Sequence, residues 1–217
     1  MATRAISPGE TISSEVAAVL GPPTISKPQC LQCFQLLSSS SQYKCKLCGY
    51  PLCGKECMLG NLHRLECKVF REAGIRANVR DLGAFDKQYS AITVLRLLLC
   101  EEEKATGNYG DHAVGIVDTL EDHDDEIQIE QKDTWKLQKE LIVDFIQKVK
   151  MSGIVKCYLI IFSIKRCKLV EKYSEKKIRQ AVGVLMTNST NLQLSPATHG
   201  VGVGLFPVYA MGNHSCM

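Results

Sequence analysis

With 217 residues the chain has room for one large domain or two small ones, and 45% hydrophobic residues is an ordinary share for a soluble protein. A net charge of +3 is too small to announce a nucleic-acid partner. The longest apolar stretch, Cys157 to Ile164, falls far short of the roughly 20 residues that span a bilayer, so no membrane span is expected.

Residues 1–10 lack the apolar core of a secretory signal, so a soluble chain of the cytoplasm or nucleus is expected. Thr3-Arg4-Ala5-Ile6-Ser7 and Glu10-Thr11-Ile12 flank Pro8-Gly9, which predicts a strand, a Pro-Gly turn and a second strand, closed by Gly21-Pro22-Pro23.

Eleven cysteines raise the question of disulfides, but seven fall between positions 30 and 67 while Cys100, Cys157, Cys167 and Cys216 are scattered. In a reducing compartment such clustering favours metal over cross-links. The series runs Cys30-x2-Cys33, Cys45-x2-Cys48, Cys53-x3-Cys57 and His63-x3-Cys67. Each short pair can place two donors on one ion, and zinc takes four such donors tetrahedrally at about 2.0–2.3 Å. Eight ligands fill two closed sites with none left over, so the expected zinc ions are structural and not catalytic. His63 stands one helical turn from Cys67, on the same face. An accidental run of buried or oxidised cysteines is the alternative, and two C-x2-C pairs beside a spaced His-x3-Cys argue against it. The segment holds few large apolar side chains, so metal must supply its folding free energy, on the order of 10 kcal/mol per structural zinc.

Downstream the pattern turns helical. Tyr89, Ile92, Leu95, Arg96 and Leu99 form a stripe from about Lys87 to Glu102. The acidic tract Leu120–Glu126 has neither the glycine nor the spacing of a calcium loop, and reads as a solvated loop or helix start rather than a cation site. A second stripe runs through Trp135, Leu141, Ile142, Phe145, Ile146 and Val149. Lys150 to Arg166 then interrupts what would run smoothly from Phe145–Val149 into Cys167–Val170. We read this insert as translated intron, against the alternative of a strand or buried helix extension. Ser174 and Glu175 open a third helix that carries Ile178, Val182 and Leu185 on one face. All three stripes read as core packing. Gly200-Val201-Gly202-Val203-Gly204-Leu205-Phe206-Pro207 is β-like, its glycines fitting tight turns or close backbone approach, and the chain closes on Asn213-His214-Ser215-Cys216.

The cysteine segment resembles the MYND zinc finger at every ligand position, with Tyr50-Pro51-Leu52-Cys53 and a helix from Cys57 to Cys67 also fitting. The order of parts, from the hairpin through the finger and helices to Gly-Leu-Phe-Pro and Asn-His-Ser-Cys, resembles the SET-and-MYND lysine methyltransferases. Arthropod members are the most similar, judged by Tyr89-Ser90-Ala91-Ile92-Thr93-Val94-Leu95-Arg96. The resemblance implies an α+β chain: a double-zinc finger inserted in a partial, β-rich SET domain with a helical insert region. Residues 1–24 would supply the first SET strands, 28–67 the finger, 70–195 the helical insert with 150–166 as a spurious insertion, and 196–217 the start of the C-terminal SET core.

It also implies an interleaved pairing, with Cys30, Cys33, Cys53 and Cys57 on one zinc and Cys45, Cys48, His63 and Cys67 on the other. Spacing alone leaves a sequential pairing open. In the family the Asn-His-Ser-Cys segment borders the S-adenosylmethionine pocket. By resemblance Asn213 would hydrogen-bond that cofactor through its side-chain amide, and His214 through its backbone. The family transfers a methyl group to a lysine amine of a histone or other protein, held in line with the cofactor by a narrow channel.

The family's glycine-rich cofactor loop lies ahead of the first strand, and its channel-lining tyrosine lies beyond the Asn-His-Ser-Cys segment. Neither is found in this sequence, so no catalytic residue is named and turnover by this chain is not expected. The alternative function is a non-catalytic module whose finger docks proline-containing peptides. Nucleic-acid binding through Lys44, Lys46, Lys55, Arg64, Lys68, Arg71, Arg76 and Arg80 is disfavoured, because Glu56, Glu66 and Glu72 dilute that charge.

Overall fold

The structure, a computed structural model, describes residues 4–38, 43–103, 117–147, 173–195 and 200–212. The Lys150–Arg166 insert, Val149 and Asn213–Cys216 lie outside them. The described residues form a mixed α+β fold: strand β1 (Val19–Gly21), helices α1 (Lys55–Leu59), α2 (Asn61–Ala73) and α3 (Ile92–Glu103), then α4 (Asp124–Glu130) and α5 (Lys132–Gln138), which runs on into a π-helical turn, Lys139–Val143. Helix α6 (Glu175–Asn188), strands β2 (Ser189–Ser195) and β3 (Gly200–Leu205) and the short α7 (Pro207–Ala210) follow. The strands make one antiparallel sheet in the order β1-β3-β2, with Val19 opposite Leu205 and Ser189 opposite Leu205 on the other side. Among the described residues no helix is long and apolar enough to cross a membrane.

Helix α3 is the hub. Ile92, Val94, Leu95, Leu97, Leu98 and Leu99 are all buried, so the helix is apolar on nearly every side and packs against β1, α2 and α6. β1 lies so close that a Cβ on Gly21 would fall 2.1 Å from Thr93 Oγ1, and Thr93 Oγ1 donates instead to Pro22 O at 2.7 Å. Ser90 Oγ likewise donates to Thr24 O at 2.6 Å. The third predicted stripe forms as read: Ser174 caps α6 by accepting from Lys177 N–H at 3.2 Å, and Ile178, Val182 and Leu185 enter the core. The acidic tract starts α4, its carboxylates Asp124, Asp125 and Glu126 in the first turn where the helix dipole favours them.

Three sequence expectations are corrected. The Pro8-Gly9 turn is present, with Glu10 N–H donating to Ser7 O at 3.1 Å, but among the described residues no strand flanks it. Glu10 is engaged by the Arg4 guanidinium and the Ser7 N–H instead of a ladder, and Ile12 and Val16 stand in solvent; the strand of this region is β1, later in the chain. The helix expected from Cys57 to Cys67 is two helices broken at Gly60, where the Gln32 side chain presses in and accepts from His63 N–H at 3.1 Å. The stripe from Lys87 divides too, because Asp86 accepts from Gln88 N–H and holds Lys87–Tyr89 as a 3-10 turn before α3 begins.

Candidate metal centre

The two C-x2-C segments fold alike. Phe34 N–H donates to Cys30 O at 2.8 Å and Cys30 N–H to Gln35 O at 2.9 Å; Gly49 N–H donates to Cys45 O and Cys45 N–H to Tyr50 O, both at 2.9 Å. A single antiparallel bridge closes each knuckle, Gln29 with Leu36 and Lys44 with Pro51. The residue after the second cysteine is left-handed in both, Phe34 at φ 61° and Gly49 at φ 84°. Gly49 is required, because a Cβ there would stand 2.5 Å from the Ala77 carbonyl. Phe34 holds the same conformation with its ring buried, the Arg96 guanidinium lying 5.9 Å from its centroid.

Helix α1 carries Cys57, and α2 carries His63 and Cys67 one turn apart. This brings Cys30, Cys33, Cys53 and Cys57 into one group and Cys45, Cys48, His63 and Cys67 into another, the donor atoms of each lying within 4.8 Å of one another. Cys33 Sγ lies 3.5 Å from Cys53 Sγ and 3.9 Å from Cys57 Sγ. In the second group Cys45 Sγ is 3.7 Å from Cys67 Sγ, and Cys48 Sγ is 3.8 Å from His63 Nε2. Four sulfurs about 2.3 Å from a tetrahedral centre stand about 3.8 Å apart along each edge, and these four separations are close to that spacing. All these cysteines are free thiols, and such separations are far beyond the roughly 2.05 Å of a disulfide.

The groups differ in exposure. Cys33 and Cys53 are exposed and Cys57 half-buried, whereas all four donors of the second group are buried. Burial, reinforced by neighbouring thiols, pushes Cys57 up to about 12 and Cys67 up to about 11. At Cys45 burial opposes ionisation, but N–H groups of Cys48 and Leu47 and the His63 ring outweigh it and bring the thiol down to about 6. Thiolates crowded at these distances repel one another and would be neutralised by a divalent cation, so the donor chemistry fits zinc at both groups.

No family model and no curated protein matches this chain. The interleaved grouping is therefore read from the geometry, independent of any relative.

Two residues the sequence reading did not assign stand behind the buried group. Glu66, which from sequence reads as a surface charge diluting the basic residues around it, is fully buried, and so is Arg96. Arg96 Nε and one terminal nitrogen donate to the two Glu66 oxygens at 2.9 and 2.7 Å, and further donations reach Leu20 O at 2.8 Å and Leu31 O at 2.6 Å. Burial alone would raise the Glu66 carboxyl, but Arg96 and His63 hold it below the ordinary carboxylate range. The available signal was an arginine inside the apolar run Leu95–Leu99, since a cation there requires a buried partner. Of the predicted cofactor residues, Asn213 and His214 lie outside the described residues. A shallow cavity of about 360 Å³ is lined by His123, Glu126, Ile127, Glu130, Gln131, Met186 and Thr187, with His123 Nε2 3.0 Å from Glu121 Oε2 and Nδ1 2.8 Å from Glu126 Oε2.

Proposed function

We propose that the chain is a zinc-built protein of the SET-and-MYND lysine methyltransferase type, whose MYND finger is held rigid by two structural zinc ions on a helix-and-sheet body. The observation that carries this reading is the pair of complete, interleaved four-donor groups at tetrahedral spacing. Each group is closed, with no donor position left for water or substrate, so the metal's part is to cross-link four chain segments. The chain's own residues do the rest. Gln32 caps α2, Tyr50 Oη donates to Gln88 O at 2.6 Å, and the Tyr50, Phe70 and Tyr89 rings pack at 5.5 Å centroid spacings, so the finger is continuous with the core around α3.

The methyltransferase part of the proposal rests on sequence resemblance at Asn213-His214-Ser215-Cys216. There Asn213 would hold S-adenosylmethionine through its amide and His214 through its backbone. A second reading, a non-catalytic module for proline-containing peptides, draws on Leu47 and Leu59, apolar side chains that the finger leaves exposed. Elemental analysis of the purified chain tests the metal reading, two zincs per chain being expected. Labelled-methyl transfer to histone separates the other two. Incorporation supports the enzyme; two zincs without incorporation, together with peptide-induced amide shifts confined to the finger, support the module.

A further inference from the structure

The eight donors do not explain why a carboxylate is buried beside one of them. His63 turns Nε2 toward Cys48 and Nδ1 toward Glu66, whose nearer oxygen is 3.5 Å away, and among the described residues no closer partner satisfies Nδ1. Both side chains are fully buried. Arg96 fixes that carboxylate with a two-pronged grip and is itself anchored on Leu31 O, inside the first knuckle, and on Leu20 O in β1. A carboxylate behind the non-ligating nitrogen of a histidine selects its tautomer, orients its ring and raises its basicity toward metal.

Resting on the zinc reading above, we propose that Glu66, held by Arg96, is the positioning residue of the buried Cys45/Cys48/His63/Cys67 site, making this the retained zinc and the exposed Cys30/Cys33/Cys53/Cys57 site the exchangeable one. The asymmetry follows from the surroundings. Cys33 and Cys53 meet solvent and Cys57 is half-buried, with Gln35 Oε1 3.6 Å from Cys53 Sγ. The buried site has a charged carboxylate fixed by a guanidinium that also grips the sheet and the other knuckle. An approaching chelator can displace exposed thiolates one at a time. It reaches the buried set only if the chain covering those donors opens.

The test is zinc retention by the zinc-loaded full chain against chelators of graded strength, for wild type and Glu66→Gln. Cadmium-113 substitution identifies which ion leaves, because a three-sulfur, one-nitrogen site and a four-sulfur site resonate apart. The wild-type chain should lose the four-cysteine zinc first. Glu66→Gln should weaken the other site about 10- to 100-fold and leave the four-cysteine site unchanged. Equal retention of both ions in the two proteins would overturn the proposal. Fewer than two zincs on the wild-type chain would overturn the metal reading itself, and this proposal with it. Because Glu66→Gln leaves a buried guanidinium uncompensated, the double variant Glu66→Leu/Arg96→Met, which removes both charges, is measured alongside. Its buried site should show the same weakening, and wild-type retention there would count against the proposal. On the unaltered protein, long-range proton–nitrogen correlation should show His63 bound through Nε2 with a proton on Nδ1. Coordination through Nδ1 would overturn it.

Discussion

Gly49→Ala isolates the cost of disturbing a metal knuckle without touching a ligand. Gly49 is left-handed at φ 84°, a conformation that costs a residue with a Cβ about 1–2 kcal/mol. The added methyl would also stand 2.5 Å from Ala77 O and 3.1 Å from Ala77 N, both rigid backbone atoms, and such overpacking costs about 1–3 kcal/mol. Relief requires moving the knuckle off the Ala77 segment, which breaks the 2.7 Å bond from Ala77 N–H to Cys48 O and shifts Cys48 itself. The sum is about 2–5 kcal/mol, or on the order of 10 °C in melting temperature for a chain of this length. Gly9→Ala is the control: Gly9 has φ 82° but nothing within 4 Å of a Cβ, so it carries the conformational cost alone, on a turn in solvent. Scanning calorimetry of the two zinc-loaded variants measures the difference. Melting temperatures within a degree of each other would refute the steric argument.

Other substitutions give further tests. Cys48→Ala removes one of four donors from the buried set and should unfold the finger, with the zinc count falling by at least one; an unchanged count would contradict the closed-site reading. Phe34→Gly sets two effects against each other: left-handed strain of about 1 kcal/mol is relieved, while a buried ring beside Arg96 worth about 3–5 kcal/mol is lost, so net destabilisation of about 2–4 kcal/mol is expected by denaturant titration. Gly183→Ala gains about 1 kcal/mol of helix propensity inside α6, but its Cβ would sit 2.1 Å from Asp122 O, so loss of stability and weakening of the Arg179–Asp124 pair are expected. pH acts through the thiols. Burial and neighbouring thiols push Cys48 and Cys67 above their ordinary range, Cys67 to about 11, so both give up protons when zinc binds. The stabilisation zinc supplies is therefore present at high pH and lost as pH falls, with affinity of the buried site dropping about tenfold per pH unit for each proton displaced. Chelator competition at pH 8 and pH 7 measures this, and a flat response would contradict it.

The donors were legible because ligand spacing is local: a C-x2-C pair or a His and Cys one turn apart needs only its own backbone to converge. Spacing alone leaves open which pairs group together, since that depends on Gln32 breaking the helix at Gly60 and on the knuckles lying side by side; the interleaved grouping implied by the resemblance is the one the donors adopt. Helix α6 was readable from its Ser174 cap and its apolar face for the same local reason. The N-terminal hairpin misled because a Pro-Gly turn specifies a reversal but supplies no partner strand; β1 instead pairs with β3, whose sequence lies far along the chain. Glu66 escaped notice because a charged residue between basic neighbours reads as surface, and only its long-range pairing with Arg96 explains its burial.

The most direct test of the central claim is native mass spectrometry of the purified chain, first alone and then with S-adenosylmethionine. The account predicts a mass increase of two zinc ions, both lost together with the finger's fold on strong chelation, while a further increase of one cofactor mass would support the methyltransferase reading. A chain that stays folded and carries no zinc would contradict it.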